Sequence, residues 1–234
     1  MTYVQALGAL GGFQNPGDPF PASVEAWRSD VEGAAGDLPV DFLLAWIQRE
    51  SAGNPCSYTS MRESGIFQLM PPDNTNTAGT TEAALRTACS GSSQAQTRAL
   101  TQDERDLQVQ SGVRYVNAMR AVAHAKLDAA GVTWDESNPD FWKIVKLQHA
   151  YPAPTAGWLA AAAAQLGRPV ANWDEMRAAI SGYSSVLDNA QWVGSFGAGG
   201  GNPLGGTTGT LLLVAGGLFL LWALSERGHV KLPW

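Results

Sequence analysis

Apolar positions along the chain recur at helical spacing, and no segment shows the strict alternation of a half-buried strand. A first amphipathic stretch covers about Ser23 to Ala35. Phe42, Leu43, Trp46 and Ile47 then form the buried stripe of a second helix. Pro39 stands where a first helical turn tolerates it, with Asp37 as the candidate cap. Residues 51–80 are rich in Ser, Gly, Pro, Asn and Thr and read as loop, interrupted by the apolar run Ile66 to Met70. A second polar loop, 87–101, surrounds Cys89. Thr101 and Glu104 make a capping box that opens a long helix ending near Gly131. Further helices are expected over about Asn138 to Tyr151, over the Ala-rich stretch Thr155 to Leu166, and from Asn172 as cap with Glu175 three residues on. The expected class is therefore all-α.

The flanks differ in character. Residues 1–21 form an irregular N-terminal segment that ends in a Pro-rich break over 14–21, and no Lys or Arg precedes its apolar stretch, so no secretory signal is expected. The folded domain is expected over 22–193, followed by a Gly-rich linker over 194–206. Residues 207–224 carry no charge. As a helix they would span roughly 27 Å, about a hydrocarbon core, so a transmembrane helix is expected there, with a buried hairpin as the alternative. Trp222 would lie near one interface, and Arg227 and Lys231 fall in the short polar tail 225–234.

Composition narrows the function. A net charge of −6 argues against a nucleic-acid partner, because neutralising phosphates needs a basic face. Nine Trp residues serve either core packing or stacking against the apolar face of a sugar. Cys56 and Cys89 lack any metal-ligand spacing; they either pair outside the cytosol or stand as two small buried hydrophobes. No metal and no cofactor is expected.

The informative residues are Ala45-Trp-Ile-Gln-Arg-Glu-Ser-Ala-Gly-Asn-Pro55 and Glu63-Ser-Gly-Ile-Phe-Gln-Leu-Met-Pro71. Together, in this order and spacing, they resemble the catalytic core of the soluble lytic transglycosylase and goose-type lysozyme-like family. The resemblance extends over roughly 38–190 and is tight only over 45–71. It implies a lysozyme-like fold, peptidoglycan glycan strands as substrate, and Glu50 as the catalytic acid. It also implies substrate contacts near Ser51, Gly65, Gln68 and Met70, and a tyrosine matched by Tyr151. Tyr183 is the best match to a further tyrosine in a closing helix. The family's Ala-Tyr-Asn segment appears here as Ala150-Tyr151-Pro152, with Pro152 where the family has Asn.

The residues themselves fit a single working carboxylate. Glycoside cleavage needs a proton on the leaving oxygen, and a carboxyl holds one near neutral pH only if its pKa is raised, as burial does. Glu50, at the end of the Trp46/Ile47 stripe, is placed for that expectation. The candidates for a second carboxylate are Glu63, Asp73 and Asp41, with Glu63 read as a solvated loop charge or a partner of Arg49 or Arg62. His149 is read as a packed or surface histidine rather than as a base. The resemblance implies a mechanism without a second acid. Glu50 protonates the bond between N-acetylmuramic acid and N-acetylglucosamine. It then takes the C6 hydroxyl proton as that oxygen closes a 1,6-anhydro ring.

A wall-cleaving domain with a C-terminal anchor and no export signal is expected in a setting that carries it to the wall. That setting is a phage virion, on an internal membrane or in the ejection apparatus, alongside other virion proteins. A bacterial membrane-bound muramidase or transglycosylase is the alternative within the enzyme class. A catalytically inactive lysozyme-fold glycan-binding protein is the alternative outside it.

Overall fold

A computed structural model describes residues 15–59, 62–70, 88–90, 94–150, 154–180 and 184–197. Eight helices and no strand occur among them. The helices are α1 (Ala22–Glu25), α2 (Arg28–Ala34), α3 (Val40–Ser51), α4 (Gln102–Ala129), α5 (Pro139–Ala150), α6 (Pro154–Leu166), α7 (Trp173–Ala179) and α8 (Ser184–Gly194). The all-α expectation holds. None of these helices is long and apolar enough to cross a membrane. The expected membrane segment 207–224 and its tail lie outside the described residues.

Most boundaries follow local chemistry. The Thr101 hydroxyl accepts from Glu104 N and the Glu104 carboxylate from Thr101 N, so the capping box opens α4 as expected. At the far end Gly131, at φ +67°, turns the chain out of the helix. Asn172 Oδ1 accepts from Glu175 N at 3.0 Å and opens α7. Two local expectations are corrected. The stretch Ser23 to Ala35 is not one helix: a turn at Ala26 and Trp27 divides it into α1 and α2. Asp37 does not cap α3, whose first residue follows Pro39 with no side-chain cap. Gly36, at φ +62°, turns the chain so that Leu38 is buried, and Asp37 reaches Arg120 of α4 at 2.8 Å instead.

The core is built around α3 and α5. Phe42, Leu43, Leu44, Trp46 and Ile47 of α3 are fully buried, wider than the stripe read from the sequence. Helix α5 packs on α4, α6 and α8, while α3 packs on α1, α2 and α8. Contacts between α3 and α5 step in the same order along both helices. Trp142 meets Phe42, with ring centroids 5.0 Å apart, Lys146 meets Trp46, and His149 meets Trp46 one turn further. The domain is closed by its own ends, since Phe20 packs on Phe196 at 5.3 Å between centroids. Gly194 lies against Lys143 and Gly197 against Trp142 so closely that a Cβ on either would overlap them. Packing thus continues through Gly197, past the point where the linker was expected to start, because α5 needs glycines there to be covered.

Candidate active site

Glu50 occupies the last turn of α3, and the chain leaves the helix immediately after it. Ala52 takes the left-handed conformation at φ +54° and Gly53 follows at +79°. The turn is clamped from the N-terminal side. Trp27 Nε1 donates to Gly53 O at 2.9 Å, and Ser23 Oγ donates to Ala52 O at 2.8 Å. A Cβ on Gly53 would stand 2.3 Å from Ser23 O, so glycine is required there by close approach as well as by its φ. Arg105 of α4 holds the clamp in turn: its guanidinium stacks over Trp27 at 4.0 Å and pairs with Asp30.

The second motif is folded back beside Glu50. Ser51 is buried, and its hydroxyl lies 2.9 Å from Ile66 O and 3.1 Å from Ile47 O, while it accepts from Gly53 N at 3.2 Å. It therefore joins the helix end to the loop that carries the second motif. Gly65, at φ +75°, makes the turn of that loop and donates to Ser57 O at 3.0 Å. Gln68, 3% exposed and itself at φ +50°, uses both amide hydrogens inside the loop, on Ser57 O at 3.0 Å and Gly65 O at 2.7 Å. What the amide retains for a ligand is its carbonyl oxygen. Phe67 lies flat on Gly112 of α4, where any Cβ would overlap the ring, and Ile66 N donates to Gln108 Oε1 of the same helix at 3.1 Å. Met70 is half-buried where the described loop ends. Tyr151 and Tyr183 lie outside the described residues.

Cys56 and Cys89 form a disulfide, with Cα atoms 5.6 Å apart. This settles the alternative the sequence left open and ties the turn after Glu50 to the second loop. Asn54 adds to that link, as its side chain donates to Gln94 O at 3.2 Å and accepts from Cys56 N at 2.9 Å.

The surroundings of the Glu50 carboxylate were not legible in the motifs. Lys146 of α5, only 1% exposed, donates directly to Glu50 Oε1 with its ammonium 4.0 Å above the Trp46 ring. His149 Nε2, one turn along, is 3.6 Å from the same oxygen, and its Nδ1 is 3.0 Å from the Tyr115 hydroxyl of α4. The expectation of a raised Glu50 pKa is therefore reversed. Burial pushes the carboxyl up, but the Lys146 ammonium and the His149 imidazole outweigh it and hold Glu50 well below the usual carboxylate range. Burial in turn lowers the Lys146 ammonium.

Glu63 also departs from expectation. It is half-buried rather than solvated, and its carboxylate accepts from Thr59 Oγ1 at 2.9 Å. Burial raises its pKa and the charge of Glu50 raises it further, so the two carboxylates feel each other. Asp41 pairs with Arg28 at 3.0 Å in the first turn of α3, at the opposite end of that helix from Glu50, and Asp73 lies outside the described residues. No group of three or more His, Cys, Asp or Glu side chains suited to a metal occurs among the described residues.

One signal could have exposed Lys146. It sits among Phe141, Trp142, Ile144, Val145 and Leu147, all buried, in a run dominated by apolar residues. A lysine in such a run implies a buried partner of opposite charge. Nothing in the sequence singles out Tyr115. Compared with family models, curated proteins and solved structures, the chain matches none.

Proposed function

We propose that this chain is a peptidoglycan lytic transglycosylase with a lysozyme-like domain and Glu50 as its acid and then its base. It would cleave the β-1,4 bond between N-acetylmuramic acid and N-acetylglucosamine and leave a 1,6-anhydro end. One observation carries the reading. Glu50 and the Gly65–Met70 loop, apart in sequence, are joined by the Ser51 hydroxyl into one unit, with a largely buried carboxylate at its edge. A glycan lying along that edge meets a single acid on a rigid helix end, the arrangement that proton transfer to a glycosidic oxygen needs. The reaction moves one proton to the leaving oxygen and recovers one from the C6 hydroxyl, so it consumes no water and is proton-neutral.

The test is product analysis. Purified peptidoglycan sacculi are treated with the full chain and the soluble fragments weighed by mass spectrometry. Anhydro-ended fragments, absent with Glu50→Gln, are expected; no release, or equal release by the variant, sinks the assignment. A second reading has an observation of its own in Glu63. Its half-buried carboxyl, which feels the charge of Glu50, is a candidate for the second carboxylate a hydrolytic muramidase requires, and reducing ends that vanish in Glu63→Gln would favour it. The proposed setting is a phage virion that opens the wall locally during genome ejection, with residues 207–224 in a lipid membrane. Purified particles lacking this chain on a protein gel would remove that setting.

A further inference from the structure

The site presents a contradiction that the proposed reaction must resolve. A general acid has to carry a proton, yet Glu50 faces a buried ammonium and an imidazole that both favour its ionised form. Lys146 cannot be a solvated neighbour that drifted in. It is 1% exposed, it comes from a helix 96 residues away in sequence, and its ammonium is held between the Trp46 face and Glu50 Oε1.

We propose that Lys146 is a positioning residue that stores the proton of the catalytic acid, holding Glu50 ionised and oriented until a glycan covers it and then handing the proton over. The inference rests on the transglycosylase reading above and deepens it. The step is balanced: a Lys146 N–H bond breaks, a Glu50 O–H bond forms, and an ammonium–carboxylate pair becomes an amine–carboxyl pair with no change in net charge. Water exclusion drives it, because a charged pair loses more solvation than a neutral one when a ligand seals the site. Glu50 then gives the proton to the leaving oxygen and recovers one from the C6 hydroxyl. Release of product returns that proton to Lys146.

The other charged groups around the pair are consistent with this assignment. Arg49 on α3 disfavours the Lys146 ammonium, whereas Glu63 on the second-motif loop favours it. His149 reaches Glu50 from α5 and is itself oriented by Tyr115 from α4. His149 lies further off, with its nearer nitrogen 3.6 Å from the carboxylate, whereas the ammonium is in direct hydrogen-bond contact.

The experiment uses the full chain in detergent and sacculi as substrate, with fragment release followed from pH 4 to 10, roughly the range in which carboxyl and ammonium groups titrate. Wild type keeps its activity on the alkaline side until Lys146 loses its proton. Lys146→Met moves that alkaline limb of kcat/KM acidward by at least about one pH unit, because Glu50 must then hold its own proton. Lys146→Arg keeps the charge but cannot give up a proton, so kcat falls about 100-fold across the range while the melting temperature stays. An unshifted limb in Lys146→Met, or wild-type turnover in Lys146→Arg, overturns the proposal while leaving the transglycosylase reading intact. If wild type releases nothing, or Glu50→Gln releases as much, that reading fails and takes this one with it. Should Lys146→Met not fold, carbon-13 NMR of the glutamate carboxyls in the wild-type chain decides. Glu50 is expected to stay ionised below the usual carboxylate range, and an ordinary titration overturns the pairing.

Discussion

Replacing Glu50 by Gln should destabilise the fold, the reverse of what a solvent-facing catalytic carboxylate would do. The substitution leaves the Lys146 ammonium buried without its counter-charge. Breaking a buried pair by removing one partner costs about 3–5 kcal/mol. Two features of the site reduce this: Glu50 keeps 18% of its side-chain surface, so water offsets part of the loss, and the Trp46 face stays 4.0 Å from the ammonium. Crediting the ring with about 1 kcal/mol leaves a net loss of about 2–4 kcal/mol. In a domain of 150–250 residues that corresponds to a fall of about 4–16 °C in melting temperature.

The sign of the pH dependence follows. An unpaired buried ammonium has a folded pKa below its unfolded value of about 10.4, so the unfolded chain binds more protons between the two. Stability of the variant therefore climbs as pH rises through that window, more steeply than in wild type, and the gap between the two narrows. Scanning calorimetry from pH 6 to 10, a span of roughly the lysine titration range, reads both effects. The double variant Glu50→Gln with Lys146→Met should recover most of the loss, since it removes both charges. A single variant that melts at or above wild type at pH 7 with an unchanged slope would refute the burial argument.

Three further outcomes are expected. Removing the Cys56–Cys89 disulfide, which spans 33 residues, should cost about 4 kcal/mol by loop entropy, read as a lower melting temperature that reducing agent reproduces in wild type and leaves unchanged in Cys56→Ser with Cys89→Ser. Gly53→Ala should cost more than about 1 kcal/mol, because it adds positive-φ strain to an overlap with Ser23 O; denaturant titration checks it, and a neutral result would show that the turn is not clamped as described. Glu104, through Arg98 and the Thr101 amide, and Glu175, through Arg168 and the Ala171 amide, are each held at about 2. Their contribution is present above the ordinary carboxylate pKa and lost as pH falls through about 2, so Glu104→Gln with Glu175→Gln should flatten the acid limb of the melting-temperature profile.

The long helices and their caps were legible because they depend on neighbours three or four residues away. Thr101 with Glu104, Asn172 with Glu175, and the Phe42–Ile47 stripe each carry their own instruction. Asp37 misled for the complementary reason: its partner, Arg120, is on a different helix, and a local cap rule cannot see it. The motif residues were legible as a pair, but their division of labour was not. Ser51, Gly65 and Gln68 turn out to brace the loop, because where a side chain spends its hydrogen bonds depends on which backbone groups the fold places within reach. Local pattern was enough for the all-α class, for placing Glu50 in the last turn of α3, and for offering two cysteines that could pair. That they do pair, and what charge Glu50 faces, depends on how distant segments pack. Burial alone would raise that carboxyl, yet packing α5 along α3 brings Lys146 and His149 onto it and reverses the shift. Electrostatics in a core are set by distance in space, and 96 residues of chain separate the two halves of this pair.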